Sequence, residues 1–222
     1  PWFQFRYGCT NEGGILMEML NIALPKGRLS NDTFKLLEKA GYTLPDMSAT
    51  RKLVLKDDAN NFTYYFVKPS DVPTYVKEGV CDIGIVGMDT LLEDDANVFE
   101  LLNLNIGKCK MVLAGKDNNV LNKPERLTIA TKFPKIAMNY FKEESRKVNI
   151  VKLNGSVELG PIVGLSDAIV DIYETGSTLR ANGLSVFDDI IDISAYLIAG
   201  EASYSIKNTP INNLIKRLKR VV

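Results

Sequence analysis

The sequence contains no histidine, and this absence removes the most familiar catalytic arrangements. Ser-His-Asp triads, Cys-His pairs and histidine metal sites are all excluded. Cysteine is also scarce, because Cys9, Cys81 and Cys109 are odd in number and widely spaced, which indicates neither a disulfide framework nor a zinc site. Any chemistry must therefore use carboxylates, Lys, Arg, hydroxyls, backbone amides or a metal held by carboxylates, such as magnesium.

An excess of charge of either sign is also missing, because 27 Lys and Arg balance 27 Asp and Glu. This balance argues against a nucleic acid or an anionic membrane surface as the main partner. No apolar run approaches the roughly 18 residues that a membrane span needs. With so few cysteines we expect a cytoplasmic protein, and 222 residues of ordinary globular composition suffice for one large or two small domains.

Short apolar segments alternate with helical patterns along the chain, an order typical of an α/β fold with mostly parallel sheets. The segments predicted as strands are 21–24, 51–56, 62–68, 98–104, 110–114, 127–131, 149–153, 168–172 and 190–199, with 81–89 as a buried strand that enters a glycine turn. The predicted helices are 30–40 with Ser30 as its N-cap, 70–78 capped by Ser70, one that starts at 89–92, 133–144, a short turn at 156–161, one from Leu179 to about Gly183, and 210–222.

Two segments, 103–110 and the one after Gly183, are candidate crossings between two lobes with a cleft between them. The predicted first lobe comprises residues 17–105 and 184–222, and the predicted second lobe comprises residues 106–183. Residues 1–16 differ in composition from the rest, with aromatics crowded into the first seven. We expect them to be extra or artificially added sequence ahead of a native start near Met17 or Met19, and a packing arm is the alternative.

Residues 167–183, DAIVDIYETGSTLRANG, carry the plainest chemistry. A buried strand leads into the turn of Thr175, Gly176, Ser177 and Thr178, and a helix follows. Gly176 permits close approach of the backbone, and the three hydroxyls add donors, so the turn is a candidate phosphate cradle. Asp171 and Glu174 precede it and would face sugar hydroxyls or a metal ion, which fits a sugar 5-phosphate. The alternative is an ordinary turn in which Ser177 or Thr178 only caps the helix.

Other candidate ligand positions follow two further strands. Lys26 and Arg28 flank Gly27 where a helix begins, a place at which cations are disfavoured unless an anion occupies the loop. Two solvated surface charges are the alternative. Gly84 and Gly87 would let a flat ligand lie against the backbone, whereas Arg51 is uninformative by itself.

Ten residues at fixed spacing closely resemble the signature of ATP phosphoribosyltransferase, the enzyme that opens histidine biosynthesis. They are Glu158, Gly164, Ser166, Ile169, Asp171, Ile172, Thr175, Gly176, Thr178 and Leu179. The segments 24–29, 82–87, 187–190 and 194–195 are also similar to this family. The resemblance covers roughly residues 19–222.

The resemblance implies a two-lobed fold of the periplasmic-binding-protein type II and a reaction between ATP and 5-phosphoribosyl-1-pyrophosphate (PRPP). The chain is similar to the short form of the family, a catalytic subunit that works with a regulatory subunit related to histidyl-tRNA synthetase. Histidine would inhibit through that subunit, and the chain would form a dimer within a hetero-octamer. Mg2+ is the implied cofactor, carried by PRPP, with Asp171 or Glu174 as candidate ligands.

The resemblance also assigns roles to residues. Those expected to bind PRPP are Lys26, Glu158, Asp171, Glu174, Thr175, Gly176, Ser177 and Thr178. The catalytic residues would be Arg28 and Arg51, which neutralise the departing pyrophosphate because a guanidinium binds phosphate oxygens in bidentate fashion. The nucleotide side would be lined by Asp82, Gly84 and Gly87.

Two alternatives remain open at this point. An acidic pair before a TGST turn also resembles the PRPP loop of purine and pyrimidine phosphoribosyltransferases. A two-lobed α/β chain can also be a solute-binding protein without catalytic activity, since fold does not determine function.

Overall fold

The computed structural model describes residues 18–45 and 52–222, which form two β-sheets with helices on both faces of each. The strands are β1 (Leu20–Pro25), β2 (Val54–Asp57), β3 (Phe62–Val67), β4 (Ile83–Gly87), β5 (Phe99–Asn103), β6 (Cys109–Gly115), β7 (Leu127–Thr131), β8 (Val148–Lys152), β9 (Ala168–Tyr173), β10 (Ser185–Ile193) and β11 (Ala195–Ala199). The extra segment predicted at residues 1–16 lies outside the described residues.

The described part of the chain contains eight α-helices, of which α7 and α8 follow the last strand. They are α1 (Arg28–Lys39), α2 (Val72–Lys77), α3 (Met88–Asp94), α4 (Pro134–Glu143), α5 (Leu159–Val163), α6 (Ser177–Ala181), α7 (Glu201–Ile206) and α8 (Asn208–Leu218). Short 3-10 turns occupy Pro69–Asp71 and Asn118–Asn122. None of these described helices combines the length and the apolar character that crossing a membrane requires.

Both sheets are mixed, which corrects the prediction of mostly parallel sheets. The first sheet has the order β2-β3-β1-β4-β11-β5, and only the pairs β3-β1 and β1-β4 are parallel within it. The second sheet has the order β10-β6-β9-β7-β8, in which β9-β7 and β7-β8 are parallel. The sequence pattern misses this because a strand buried on both faces is equally apolar whichever way its neighbours run.

Helices cover both faces of each sheet and bury separate apolar clusters. In the first lobe, which is built on the first sheet, α1 and α8 pack on one face through residues such as Phe34 and Leu214, and α2 packs on the other through Val72 and Val76. In the second lobe, built on the second sheet, α4 covers one face and α6 the other. This layering matches the predicted α/β class.

Two adjacent crossings join the lobes. The first runs from β5 to β6, and the second is a single residue, Ser194, between β10 and β11. The first crossing is hydrogen-bonded to the residue directly after the second, because the Leu104 amide donates to the Ala195 carbonyl at 2.8 Å and the Ala195 amide donates to the Ile106 carbonyl at 2.9 Å. The second crossing therefore differs from the predicted one after Gly183.

The strand β10 corrects the predicted lobe boundary at residue 184. It pairs antiparallel with β6 in the second sheet, so the chain returns to the first sheet only at Ala195. The predicted single strand 190–199 is accordingly the end of β10 followed by β11. A mainly apolar segment, here interrupted only by Asp192 and Ser194, does not by itself mark the point at which a chain leaves one sheet and enters another.

Helix starts also differ from the prediction. Helix α1 begins at Arg28 with Gly27 at its N-cap, and the Ser30 hydroxyl donates back to the Gly27 carbonyl at 2.7 Å instead of capping the helix. The Ser70 hydroxyl contacts the Asp71 carboxylate, and α2 begins only at Val72. Helix α7 was not predicted at all.

Gly84 offers a test of the packing of the first lobe. A Cβ atom at this position would lie 2.7 Å from Val72 and 2.8 Å from Val76, the residues through which α2 packs on β4. We expect Gly84→Ala to lower the free energy of unfolding in urea by about 1–3 kcal/mol, because the helix must move away from the sheet.

The matched control is Gly155→Ala, because a Cβ atom at Gly155 would have no neighbour within 4 Å. This variant should stay within about 0.5 kcal/mol of the unsubstituted protein. Equal stabilities for the two variants would contradict the close packing of α2 on β4.

Candidate active site

The carboxyl ends of the parallel strands from both sheets face one gap between the lobes. In the first sheet this edge holds the ends of β1 and β4, and Ala195 at the start of β11 pairs with Gly87 there. In the second sheet Cys109, which starts β6, lies at the edge where β9 ends. Since both crossings connect these two edges, the strand ends that usually form ligand sites in α/β proteins are brought together.

One charge contact spans the gap. The guanidinium of Arg28, at the start of α1 in the first lobe, contacts the carboxylate of Glu174, which follows β9 in the second lobe. The two side chains are 57% and 44% exposed, so the pair is open to solvent and to a ligand. The structure therefore brings the predicted cationic loop to the predicted glycine-hydroxyl turn.

The first-lobe side of the gap is positive. Lys26 continues from β1 and its amide donates to the Val67 carbonyl at 2.9 Å, and Gly27 then turns the chain with φ 109°. Helix α1 has no acidic residue in its first turn, and both Lys26 and Arg28 are exposed. Within α1 the nearest carboxylate to Arg28 is that of Asp32, at 3.9 Å. This is a favourable place for an anion.

The opposite side is the turn of Thr175, Gly176, Ser177 and Thr178. The hydroxyls of Thr175 and Ser177 lie 3.0 Å apart and are exposed, as is Thr178. Gly176 has φ 68°, and a Cβ atom there would lie 2.4 Å from the Tyr173 ring, so only glycine fits. Helix α6 has no side-chain cap hydrogen bond, and this argues against the reading in which Ser177 or Thr178 is merely a helix cap.

Two acids lie beside this turn. Glu158 precedes α5, and Asp171 lies in β9. Burial raises the pKa of Asp171 to about 6, and the neighbouring Glu158 carboxylate contributes in the same direction. Asp171 therefore lies close to a second acid. Near neutral pH its ionised form carries a free-energy cost, which comes from burial and from the charge of that neighbour. Such a pair is suited to bind hydroxyls or a cation.

Two residues predicted for the nucleotide side lie elsewhere. Asp82 precedes β4 at the edge of the sheet away from the gap, where its buried carboxylate accepts from the Asn21 amide and the Lys207 ammonium, both at 2.8 Å. Gly84 lies in the middle of β4 beneath α2. Both are therefore removed from the candidate nucleotide-binding residues, since their roles are structural.

Gly87 does lie at the gap, where β4 ends and α3 begins. A Cβ atom there would lie 2.2 Å from a carboxylate oxygen of Asp89, so glycine allows this side chain to fold back over the end of the strand. Burial raises the pKa of Asp89. Arg51, the second predicted catalytic residue, lies outside the described residues.

Sequence reasoning missed Lys132, the residue that follows β7 at the same edge as Asp171. The signal was present, because β7 was predicted to end at Thr131 and a helix to begin at Phe133. A cation directly after a parallel strand is placed at the edge where ligands bind. It was overlooked because a lone lysine between two predicted elements resembles any surface lysine.

Comparison with known proteins identifies the family. A sequence profile described as ATP phosphoribosyltransferase matches residues 68–220. The chain belongs to the ATP phosphoribosyltransferase family. An ATP phosphoribosyltransferase of Clostridioides difficile is 52% identical over 201 residues, which cover 90% of this chain and 97% of that protein. The resemblance seen in residues 158–179 is thereby confirmed.

Solved structures agree with the two-lobed fold. The ATP phosphoribosyl transferase (HisG:HisZ) complex from Thermotoga maritima contains a chain with 37% identity and a TM-score of 0.77, and the match covers 91% of this chain and 98% of that chain. The periplasmic aliphatic sulphonate binding protein SsuA from Escherichia coli has 13% identity and a TM-score of 0.59, with 92% of this chain and 72% of that chain covered. The second likeness concerns the fold alone, and it confirms the predicted periplasmic-binding-protein type.

The raised pKa of Asp171 predicts a pH-dependent stability. Because the folded state keeps its proton up to about pH 6 whereas the ordinary value is 3.8, the free energy of unfolding falls as pH rises through this window. Asparagine does not ionise, so Asp171→Asn should abolish this loss of stability with rising pH. At pH 7.5 the variant should therefore have a larger free energy of unfolding than the unsubstituted protein, by up to about 3 kcal/mol.

At pH 4 that advantage should be smaller by the same amount, which urea titrations at the two pH values measure. The matched control is Asp58→Asn, which replaces an exposed aspartate in the turn between β2 and β3, away from the gap. A constant difference between Asp171→Asn and the unsubstituted protein from pH 4 to 7.5 would contradict the burial of an ionised Asp171.

Proposed function

We propose that this chain is the catalytic subunit of a short-form ATP phosphoribosyltransferase, which converts ATP and PRPP to N1-(5-phosphoribosyl)-ATP and pyrophosphate in the first step of histidine biosynthesis. Membership of the family supports the reaction class. The observation that carries the proposal is the contact between Arg28 and Glu174, because it brings a cationic loop and a glycine-hydroxyl turn to the two sides of one gap.

The reaction needs no protein base. Adenine N1 has a free lone pair, and the bond from N1 to the anomeric carbon forms as the bond from that carbon to the diphosphate oxygen breaks. Pyrophosphate leaves with the electron pair, and the configuration inverts. Catalysis then consists of positioning and of electrostatic stabilisation of a positively charged ribose and a departing anion. A chain without histidine is adequate for this chemistry.

The turn of Thr175, Gly176, Ser177 and Thr178 would hold the 5-phosphate of PRPP. Exposed hydroxyls and backbone amides are the donors, and they must supply most of the affinity because α6 is only five residues long. Asp171 and Glu158 would accept from the ribose hydroxyls and favour positive charge on the ring.

Arg28, with Lys26 and with Arg51, would bind the diphosphate. The Arg28 guanidinium contacts the Glu174 carboxylate, so an incoming diphosphate would displace that carboxylate. Glu174 is then free to accept from a ribose hydroxyl. Gly87 would lie on the nucleotide side.

The acids fit a magnesium ion that arrives with PRPP. The described residues contain no group of three or more His, Cys, Asp or Glu side chains placed to hold a metal by themselves. Magnesium commonly binds through one or two carboxylates together with substrate phosphates, so Asp171 or Glu174 would complete such a site. Bound there, the ion supplies charge neutralisation of the diphosphate.

A regulatory partner belongs to the same proposal. The similar Thermotoga maritima structure is a HisG:HisZ complex, and this chain matches 98% of the aligned chain in it. We infer a regulatory subunit related to histidyl-tRNA synthetase and a dimer of this chain within a hetero-octamer. Assays should therefore be run with and without that subunit.

The proposal is tested by pyrophosphate release from ATP and PRPP with Mg2+. Adenine, uracil and orotate in place of ATP test the alternative of another PRPP-dependent transferase. Release with one of these bases but not with ATP would overturn the assignment, and so would binding of PRPP without any release in the presence of the partner.

Arg28→Ala should lower turnover by about 10²–10³-fold and change PRPP affinity much less, because the diphosphate gains charge as it departs. We expect the same of Arg51→Ala. Lys35→Ala is the matched control, since Lys35 is a 73% exposed cation on the same helix. Steady-state kinetics measure the effect, and near-normal turnover in both arginine variants would remove them from the reaction.

Gly176→Ala should weaken PRPP binding by at least about 10-fold, because the alanine must adopt a left-handed conformation and displace the Tyr173 ring from the turn. Gly183→Ala is the control, since Gly183 has the same φ of 68° but a Cβ there would have no neighbour within 4 Å. Titration calorimetry with PRPP compares them. Equal affinities for the two variants would show that the turn does not hold the 5-phosphate.

A further inference from the structure

Lys132 lies at the level of Asp171 on the edge of the second sheet that faces the gap. Thr131, the last residue of β7, pairs in parallel register with Val170 of β9. The next residues along the two strands are Lys132 and Asp171, so the parallel register places them side by side. A cation is thus located beside the acid assigned above to the ribose.

Hydrogen bonds of Thr131 fix the backbone on both sides of Lys132. The fully buried Thr131 hydroxyl donates to the Val170 carbonyl at 2.7 Å and accepts from the Phe133 amide at 2.8 Å. The turn that carries Lys132 is therefore tied to the residue that precedes Asp171. Such support is typical of a position where a side chain must be presented accurately.

In the described part of the chain no carboxylate forms an ion pair with Lys132, although its charge acts on acids from both sides of the gap. Lys132 is exposed, its ammonium lies 5.7 Å from the centroid of the Phe133 ring, and it forms no salt bridge within residues 18–45 and 52–222. Burial raises the pKa of Asp171 and of Asp89, and the Lys132 charge opposes that rise at both. Since Asp89 belongs to the first lobe, Lys132 lies between the two lobes.

Glu93 reaches from the first lobe to the turn of Lys132. One oxygen of its carboxylate accepts from the backbone amides of Lys135 and Ile136, at 2.9 and 3.3 Å. These amides belong to the first turn of α4, which has no side-chain cap of its own. A residue of α3 therefore caps the helix that begins directly after Lys132 and Phe133.

We propose that Lys132 contacts the diphosphate of bound PRPP, and that Glu93 is a positioning residue that holds the Lys132 turn from the opposite lobe. The inference rests on the proposed function, since it names a further contact for the same substrate. Lys132 and Arg28 then approach the departing group from the second and the first lobe respectively. Because Glu93 belongs to the first lobe and caps α4 of the second lobe, the position of Lys132 depends on the relative orientation of the two lobes.

Lys132→Met keeps the length of the side chain and removes the charge. We expect it to lower kcat/KM for PRPP by about 10–100-fold and to leave the KM for ATP within about twofold. Lys132→Arg should recover most of the loss because it restores the charge. Lys142→Met, which removes an exposed cation at the other end of α4, is the matched control. A rise in the KM for ATP with PRPP kinetics unchanged would overturn the assignment to the diphosphate.

A double-mutant cycle tests the role of Glu93. If Glu93 acts through Lys132, Glu93→Ala should lower kcat/KM for PRPP by about 3–10-fold in the unsubstituted protein and by less than about twofold in the Lys132→Met background. Glu93→Gln should recover most of the loss, because its amide oxygen can still accept from the Lys135 and Ile136 amides. Equal losses in both backgrounds would mean that Glu93 only stabilises the fold. Thermal unfolding of each variant identifies any that owe their loss to stability.

Calorimetric titration with PRPP provides a readout apart from turnover. We expect Lys132→Met to bind PRPP more weakly than the unsubstituted protein and Lys142→Met to bind it equally well. If the unsubstituted full chain with its regulatory subunit releases no pyrophosphate, the proposed function fails. If it does release pyrophosphate and Lys132→Met matches it in kinetics and binding, the function stands and the inference about Lys132 is wrong.

Discussion

The Arg28–Glu174 ion pair is the interaction on which the candidate site depends, because it is a direct charge contact between the two sides of the gap. Its strength is modest by nature. Both side chains are largely exposed, and such pairs contribute roughly 0–1 kcal/mol. A diphosphate carries more charge than one carboxylate and accepts bidentate hydrogen bonds from a guanidinium, so it can replace Glu174. The pair therefore keeps Arg28 oriented toward the gap while remaining easy to displace.

The topology explains why opposite charges meet there. Both crossings join the edge at which β1 and β4 end to the edge at which β9 ends, one in each chain direction. Residues that follow these strands must then face one another, whatever their identity. The hydrogen bonds that link the first crossing to Ala195, through Leu104 and Ile106, keep the two edges in register. The fold supplies the gap, and a few side chains at its two sides make it the candidate phosphate site.

Local sequence patterns were sufficient to predict features that depend on residues close together in the chain. The bounds of β7, the strand before the 175–178 turn and the need for Gly176 all follow from residues close together in the chain. Long-range partners decided the rest. Asp82 was assigned to a ligand, but its partners Asn21 and Lys207 are distant in sequence. The end of β10 at Ile193 could not be predicted from local sequence, because it is defined by pairing with β6 and not by residue composition. Lys132 likewise becomes notable only when the register with β9 is known.

Asp171 connects the stability of the fold with the proposed chemistry. Its pKa of about 6 means that the ionised form, which predominates at neutral pH, is disfavoured by burial and by Glu158. A positive charge that develops on the ribose beside Asp171 would stabilise the ionised carboxylate. This stabilisation would be greatest in the transition state, where the positive charge on the ribose is greatest. An interaction that strengthens along the reaction accelerates it, whereas one that is equally strong throughout does not. A carboxylate whose ionised form destabilises the fold is therefore well placed, in the proposed reaction, to lower the barrier.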